Sequence, residues 1–123
     1  PYINNTDIVY VGNSGPHARL TLLSRACALL HPINFPEPFG LSVIEAMACG
    51  TPVIAFNLGS MPEIILHEKT GFLVSNIDEA VEAVKDIDQI NRKHCTDWVS
   101  SMFSRQKMVK NYLKVYRKIL TNK

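Results

Sequence analysis

Two carboxylates, Glu37 and Glu45, lie in a stretch, FPEPFGLSVIEAMACGTPVIAF at residues 35–56, that is otherwise almost wholly apolar. Burying an unpaired carboxylate is costly, so each must meet water or hydrogen-bond donors, and vicinal sugar hydroxyls are good donors. Pro36 and Pro38 hold the loop around Glu37 extended, because each ring fixes its own φ and restricts the residue before it. Gly40 permits close backbone approach. The amides of Phe39, Gly40 and Leu41 fall at or just before a helix N-terminus, where unpaired N–H groups and the positive end of the dipole favour an anion. A phosphate is the natural guest. A plainer alternative stays open, with Glu37 a loop residue in water and Glu45 complementing the dipole of its own helix.

Two more loops carry candidate groups. Residues 57–60, Asn-Leu-Gly-Ser, offer further amides to the same ligand, with Gly59 and Ser60 as the candidates, or form an ordinary well-capped connection. After residues 8–12, Ser14 and Gly15 are placed to approach a flat base and Arg19 to stack on it or reach a phosphate, unless the segment is a plain turn. Metal chemistry has no support. Cys27, Cys49 and Cys95 are far apart and odd in number, and His17, His31, His67 and His94 lack ligand spacing, so buried thiols in a reducing compartment and no metal or other cofactor are expected.

The elements that must position these groups are readable from the apolar pattern. Four short continuous apolar runs, at residues 8–12, 28–31, 53–56 and 71–74, read as strands covered on both faces. They alternate with helical stretches, which predicts an α/β fold with a Rossmann-like parallel sheet and flanking helices. Helices are expected over residues 17–27 and 41–49, the second stopped by Gly50 with Pro52 just beyond. Ser60 and Glu63 read as a capping box opening a short helix through Leu66. Asn76 or Asp78 is the cap for a helix over 79–84. From Trp98 to Leu120 an apolar stripe continues, interrupted near Ser104, which is the expected cap of the last helix. In an open parallel sheet, ligands bind beyond the carboxyl ends of the strands, and Glu37 follows the run 28–31 directly.

The 123 residues, 46% hydrophobic and 20% charged, form one domain or less, read as a single unit over 1–123. The chain begins at Pro1 without an initiator Met, so a piece of a longer protein is expected. No apolar run approaches the roughly 18 residues of a membrane span, and no signal-peptide pattern opens the chain, which predicts a cytoplasmic protein. Nine of the thirteen basic residues follow Asn91, against one acid, Asp97. A solvated helix face is the plain reading of that tail, and peripheral contact with an anionic inner membrane face is the sharper one. No nucleic-acid partner is expected.

The block HPINFPEPFGLSVIEAMACGTPVIAFNLGSMPEIILHEKTGFLV closely resembles the nucleotide-sugar-binding core of the family 4 retaining glycosyltransferases of the GT-B fold. It contains the E-x7-E spacing as Glu37 and Glu45, the EAMACGTPVIA helix-turn-strand and a G-S-x-P-E loop. Weaker resemblance extends over the rest of the chain. It implies that Glu37 contacts hydroxyls of the donor sugar, and that the backbone of Phe39, Gly40 and Leu41 meets the sugar and diphosphate, with Leu41 near the ribose. Glu45 would bind the ribose hydroxyls, and Ser14 and Arg19 match positions near the base. No metal is needed in such enzymes, since cationic side chains and helix dipoles stabilise the leaving diphosphate. Retention by front-face attack leaves Glu37 closest to the reacting sugar without making it a nucleophile, so no catalytic residue is assigned.

The resemblance also implies what lies outside the chain. Complete family members carry an N-terminal acceptor domain and two earlier strand-helix units, whose loop bears the Arg and Lys that clamp the phosphates. The resemblance also favours packing of the last helix's apolar face back across the domain interface over the membrane contact. The run 8–12 resembles the third strand of the donor domain. With strand order 3-2-1-4-5-6, the absent strands would separate it from the run 28–31, so the expectation is a partial domain that rearranges or leaves unpaired edges inviting association. The function implied is the donor site of a hexosyltransferase-type enzyme, inactive as an isolated fragment. The alternatives are an inactive nucleotide-sugar-binding module and a fragment of a GT-B nucleotide-sugar epimerase.

Overall fold

A computed structural model describes residues 2–121. The order is α1 (Pro16–Arg25), β1 (Leu29–His31), α2 (Leu41–Ala48), β2 (Val53–Phe56), α3 (Met61–Ile64), β3 (Gly71–Val74), α4 (Ile77–Lys85), a 3-10 turn (Ile87–Gln89), α5 (Arg92–Met102) and α6 (Arg105–Thr121). The three strands form a parallel sheet in the order β1-β2-β3, with Leu29 opposite Val53 and Val53 opposite Gly71. The expected α/β architecture is therefore present, with three strands where the sequence pattern predicts four.

The missing strand is residues 8–12. That run is exposed and pairs with no strand, its Tyr10 74% accessible. A strand is stable only when a neighbour satisfies its N–H and C=O groups, and apolar composition does not supply that neighbour. Just upstream, the Asn4 side-chain oxygen accepts hydrogen bonds from the amides of Thr6, Asp7 and Ile8, which fixes a local turn instead. The outer edge of β1 is left without a partner, and Leu30 there is 59% accessible. Leu30, Ile54, Phe56 and Val74 of the sheet, with Ile77, Val81 and Val84 of α4, line an open apolar groove of about 270 Å³.

On the sheet's other face, α2 packs against β1, β2, α1 and α5. Val43, Ala46 and Met47 of α2 close the core with Val53, Ala55, Met61, Ile64, Cys95 and Val99. α2 ends as expected at Gly50, which takes φ +79°. α4 begins at Ile77, with Asn76 and not Asp78 as its cap. The Asn76 side chain accepts from the amide of Glu79, whose carboxylate accepts from the amide of Ser75, closing a reciprocal box.

The box expected at Ser60 and Glu63 does not form. Ser60 already has helical backbone angles, so its hydroxyl does not reach a first-turn amide and instead donates to the carbonyl of Phe39 at 2.9 Å. α3 also stops at Ile64. α1 is shorter than expected and leaves Cys27 exposed. Of the three thiols expected inside, Cys95 is buried and Cys49 half-buried, because burial depends on which way a short helix end faces. Burial pushes the Cys95 thiol up to about 11, against a smaller opposing pull from Arg92. Among the described residues no helix is long and apolar enough to cross a membrane.

The terminal region is two helices. Ser104 accepts from the amide of Lys107 and opens α6 as expected, while α5 starts at Arg92, upstream of the apolar stripe. The Trp98 indole N–H of α5 donates to the carbonyl of Ile64 at 2.8 Å and ties that helix to the core.

Candidate functional site

The loop from Pro32 to Gly40 leaves the carboxyl end of β1 and turns into α2, and it carries Glu37, half-buried. The loop 57–60 leaves the adjacent carboxyl end of β2. The two are stitched together. The Ser60 amide donates to the Glu37 carbonyl at 2.9 Å, while its hydroxyl holds Phe39. Gly59, at φ +57°, lies so close that an added Cβ would stand 2.5 Å from both the nitrogen and the carbonyl oxygen of Glu37. Gly59 and Ser60, expected to contact ligand, also hold the backbone of the Glu37 loop in place.

Gly40 is the N-cap of α2 in the left-handed region, at φ +87° and ψ +57°. A side chain there would also meet the Met61 methyl at 2.7 Å, so the chain enters the helix directly above the core. Leu41 and Ser42, the first two helical residues, have amides with no earlier turn to receive them, and they point out of the helix start. Phe39 and Leu41 place exposed apolar side chains beside those amides.

Glu45 lies one turn further along α2. Its Oε1 accepts from Nη2 of Arg19 at 3.2 Å, with the two side chains 38% and 50% accessible. The helix from which Arg19 projects therefore faces the helix bearing Glu45, bringing two of the expected site residues into direct contact. Ser14, half-buried before α1, makes no side-chain hydrogen bond to Glu37 or Glu45 among the described residues. Among the described residues no group of three or more His, Cys, Asp or Glu is arranged to hold a metal ion.

Two features escape sequence reasoning. Arg92, at the start of α5, donates to the carbonyls of Ser24 and Ala26 and to the Thr51 hydroxyl. Thr51 in turn donates to the carbonyl of Leu23. These bonds clamp the C-terminus of α1 against the α2–β2 turn and so fix Arg19 beside Glu45. Arg92 sits 66 positions from Ala26, and no local pattern links them. The second is His31, at the carboxyl end of β1. It is 8% accessible, and its Nε2 lacks a hydrogen-bond partner among the described residues. Buried unpaired polar atoms are uncommon, and this one marks the strand end that feeds the Glu37 loop. Its only advance signal was a histidine ending an apolar run.

The family described as "Glycosyl transferases group 1" matches residues 2–102. The chain belongs to this family. The N-acetyl-alpha-D-glucosaminyl L-malate synthase of Bacillus anthracis is 31% identical over 122 residues, which cover 92% of this chain and 31% of that protein. Among solved structures, a glycosyltransferase from Rickettsia africae ESF-5 superposes with a TM-score of 0.75 at 26% identity, over 97% of this chain and 34% of that one. The sucrose-phosphate synthase of Thermosynechococcus elongatus does so with a TM-score of 0.73 at 29% identity, over 94% and 31%. This group 1 glycosyl transferase chain thus has the GT-B type of α/β architecture expected for it, and spans about a third of the length of these relatives.

Proposed function

We propose that the chain is the donor-site portion of a family 4 retaining, metal-independent glycosyltransferase of the hexosyltransferase type. It would move a sugar from a nucleotide-diphosphate sugar to a glycan, lipid or small-molecule acceptor held by a separate N-terminal domain. The observation that carries this reading is the convergence, at one sheet edge, of the buttressed Glu37 loop, the open amides of α2 and the Glu45 carboxylate.

In this reading the diphosphate meets the amides around Gly40 and Leu41, where the helix dipole opposes the charge that builds on the leaving group. Glu37 accepts from sugar hydroxyls, and its carbonyl, held by Ser60, fixes where that carboxylate stands. Glu45 accepts from the ribose hydroxyls, which compete with Arg19 for Oε1. Arg19, once released, is free to stack on the base or approach a phosphate. The phosphate-clamping cations and the acceptor site belong to segments outside these 123 residues, so the isolated chain binds the donor weakly and turns nothing over.

Isothermal titration of the chain with a series of nucleoside diphosphates tests the site. Glu45→Ala is expected to weaken binding about tenfold, the scale of a lost charge-assisted hydrogen bond, while leaving the circular dichroism spectrum intact. Unchanged affinity in the folded variant rejects the ribose role. Turnover of any nucleotide sugar by the isolated chain rejects the expectation of inactivity.

A further inference from the structure

A second recess opens beside the Glu37 loop. It measures about 660 Å³ and lies across the carboxyl ends of the three strands, lined by Asn34 from the loop after β1, Phe56, Asn57 and Leu58 at the end of β2, and Ser75 and Ile77 after β3. These strand ends are fixed to one another. Phe56 pairs with Val74, and the Asn57 amide extends that ladder by donating to the Val74 carbonyl at 2.9 Å. At the far end of the same loop the Ser60 amide donates to the Glu37 carbonyl. The loop 57–60 is therefore a wall shared by the recess and the Glu37 site. Its shape comes from the paired sides of β1, β2 and β3 and not from the unpaired outer edge of β1.

The lining is neutral. No Lys, Arg, Asp or Glu is part of it, so a phosphate or carboxylate would find no cation there. The Glu79 carboxylate behind Ser75 is already engaged by the Ser75 amide and the Asn76 side chain. What the recess presents is the side-chain amides of Asn34 and Asn57 and the hydroxyl of Ser75, all on exposed residues and making no side-chain hydrogen bond among the described residues. An amide group donates twice and accepts, and a hydroxyl does both. Phe56, Leu58 and Ile77 add apolar surface between them. Uncommitted neutral donors and acceptors over apolar surface match a sugar ring, whose vicinal hydroxyls both donate and accept and whose C–H face is apolar. The volume falls within the range of small-ligand sites, about 300–1,000 Å³, and the position beyond the carboxyl ends of a parallel sheet is where such folds bind ligands.

We propose that this recess binds a neutral sugar ring of the acceptor, next to the donor sugar at Glu37. The acceptor assignment rests on the donor-site reading, whereas the preference for a neutral saccharide rests on the lining of the recess.

The test is amide NMR on the isotope-labelled 123-residue chain, titrated with the methyl glycosides of glucose, galactose, mannose and N-acetylglucosamine, each with and without a nucleoside diphosphate. At least one glycoside is expected to shift the side-chain amide signals of Asn34 and Asn57 in a saturable way, and the nucleoside diphosphate is expected not to compete. Asn34→Asp and Asn57→Asp keep the shape of the side chain and remove its donors, so each should weaken glycoside binding about fivefold, the scale of one neutral hydrogen bond. The backbone signals of Leu58 and Ile77 report that loss. Ser75→Ala should act similarly, since the backbone amide that holds Glu79 is retained. The proposal is overturned if no glycoside moves these signals up to about 100 mM, where even a millimolar site is filled. It is equally overturned if the nucleoside diphosphate displaces the glycoside, or if the three variants, folded by the same spectra, bind it as the parent does. Failure of the donor-site reading shows elsewhere, as nucleoside diphosphate affinity indifferent to Glu45→Ala.

Discussion

Gly59→Ala is the most direct test of how the site is built. An alanine at φ +57° pays for a left-handed backbone, about 1–2 kcal/mol. The new methyl would also sit 2.5 Å from Glu37 N and O, so the Glu37 loop must retreat by roughly 0.5–1 Å to reach ordinary contact distance. Retreat stretches the 2.9 Å bonds from Ser60 to Glu37 and Phe39, and a lost hydrogen bond adds about 1 kcal/mol. The expected total is about 2–3 kcal/mol, which for a chain of this size lowers Tm by about 6–12 °C. Urea melts give the stability, and titration with a nucleoside diphosphate gives the affinity. Ser60→Ala removes the hydroxyl bond without the clash, so it should cost about 1 kcal/mol and weaken binding less. If Gly59→Ala melts within about 0.5 kcal/mol of the parent, a change typical of a neutral surface site, and binds equally well, the loops do not support one another as described.

Other expectations follow from the same contacts. Arg92→Met removes the donor that satisfies the carbonyls of Ser24 and Ala26; a loss of about 1–3 kcal/mol is expected, with faster amide exchange in α1 by mass spectrometry and slow exchange retained in β2. Arg19→Ala breaks an ion pair whose partners are both more than a third exposed, so urea melts should shift by less than about 1 kcal/mol whatever happens to ligand binding. The Cys95 thiol is raised from 9.0 to about 11 in the fold. The unfolded chain therefore loses that proton first, and stability falls as pH rises from about 9 to about 11, by roughly 2–3 kcal/mol at full effect. Melts of Cys95→Ala across that range should lack the decline. With a thiol reagent at neutral pH, Cys27 should react fast and Cys95 only on unfolding, given their exposure.

Much of the site was legible along the chain because its signals are local. The carboxylate spacing from Glu37 to Glu45, the prolines around Glu37 and the glycines at 40 and 50 each act within one loop or one helical turn. The three paired strands were legible for the same reason, and the cap of α4 was narrowed to Asn76 or Asp78, of which the structure uses Asn76. Ser60 was not, since its hydroxyl had a cap nearby in sequence and a carbonyl, that of Phe39, nearby in space, and the helical backbone of Ser60 left the second within reach.

By itself the sequence determined the types of the three paired strands and the helices between them, the loop that presents Glu37, the helix start beside Gly40 and the placement of Glu45 one turn on, because these follow from φ restrictions, periodicity and capping. Only the tertiary structure decided which residues meet. The run at 8–12 has every local feature of a strand and is not one, for want of a neighbour to satisfy its backbone. Arg19 faces Glu45 because Arg92 and Thr51 lock α1 in place from across the chain. Such contacts depend on the closure of long loops by many weak bonds at once, and no single stretch of residues encodes them.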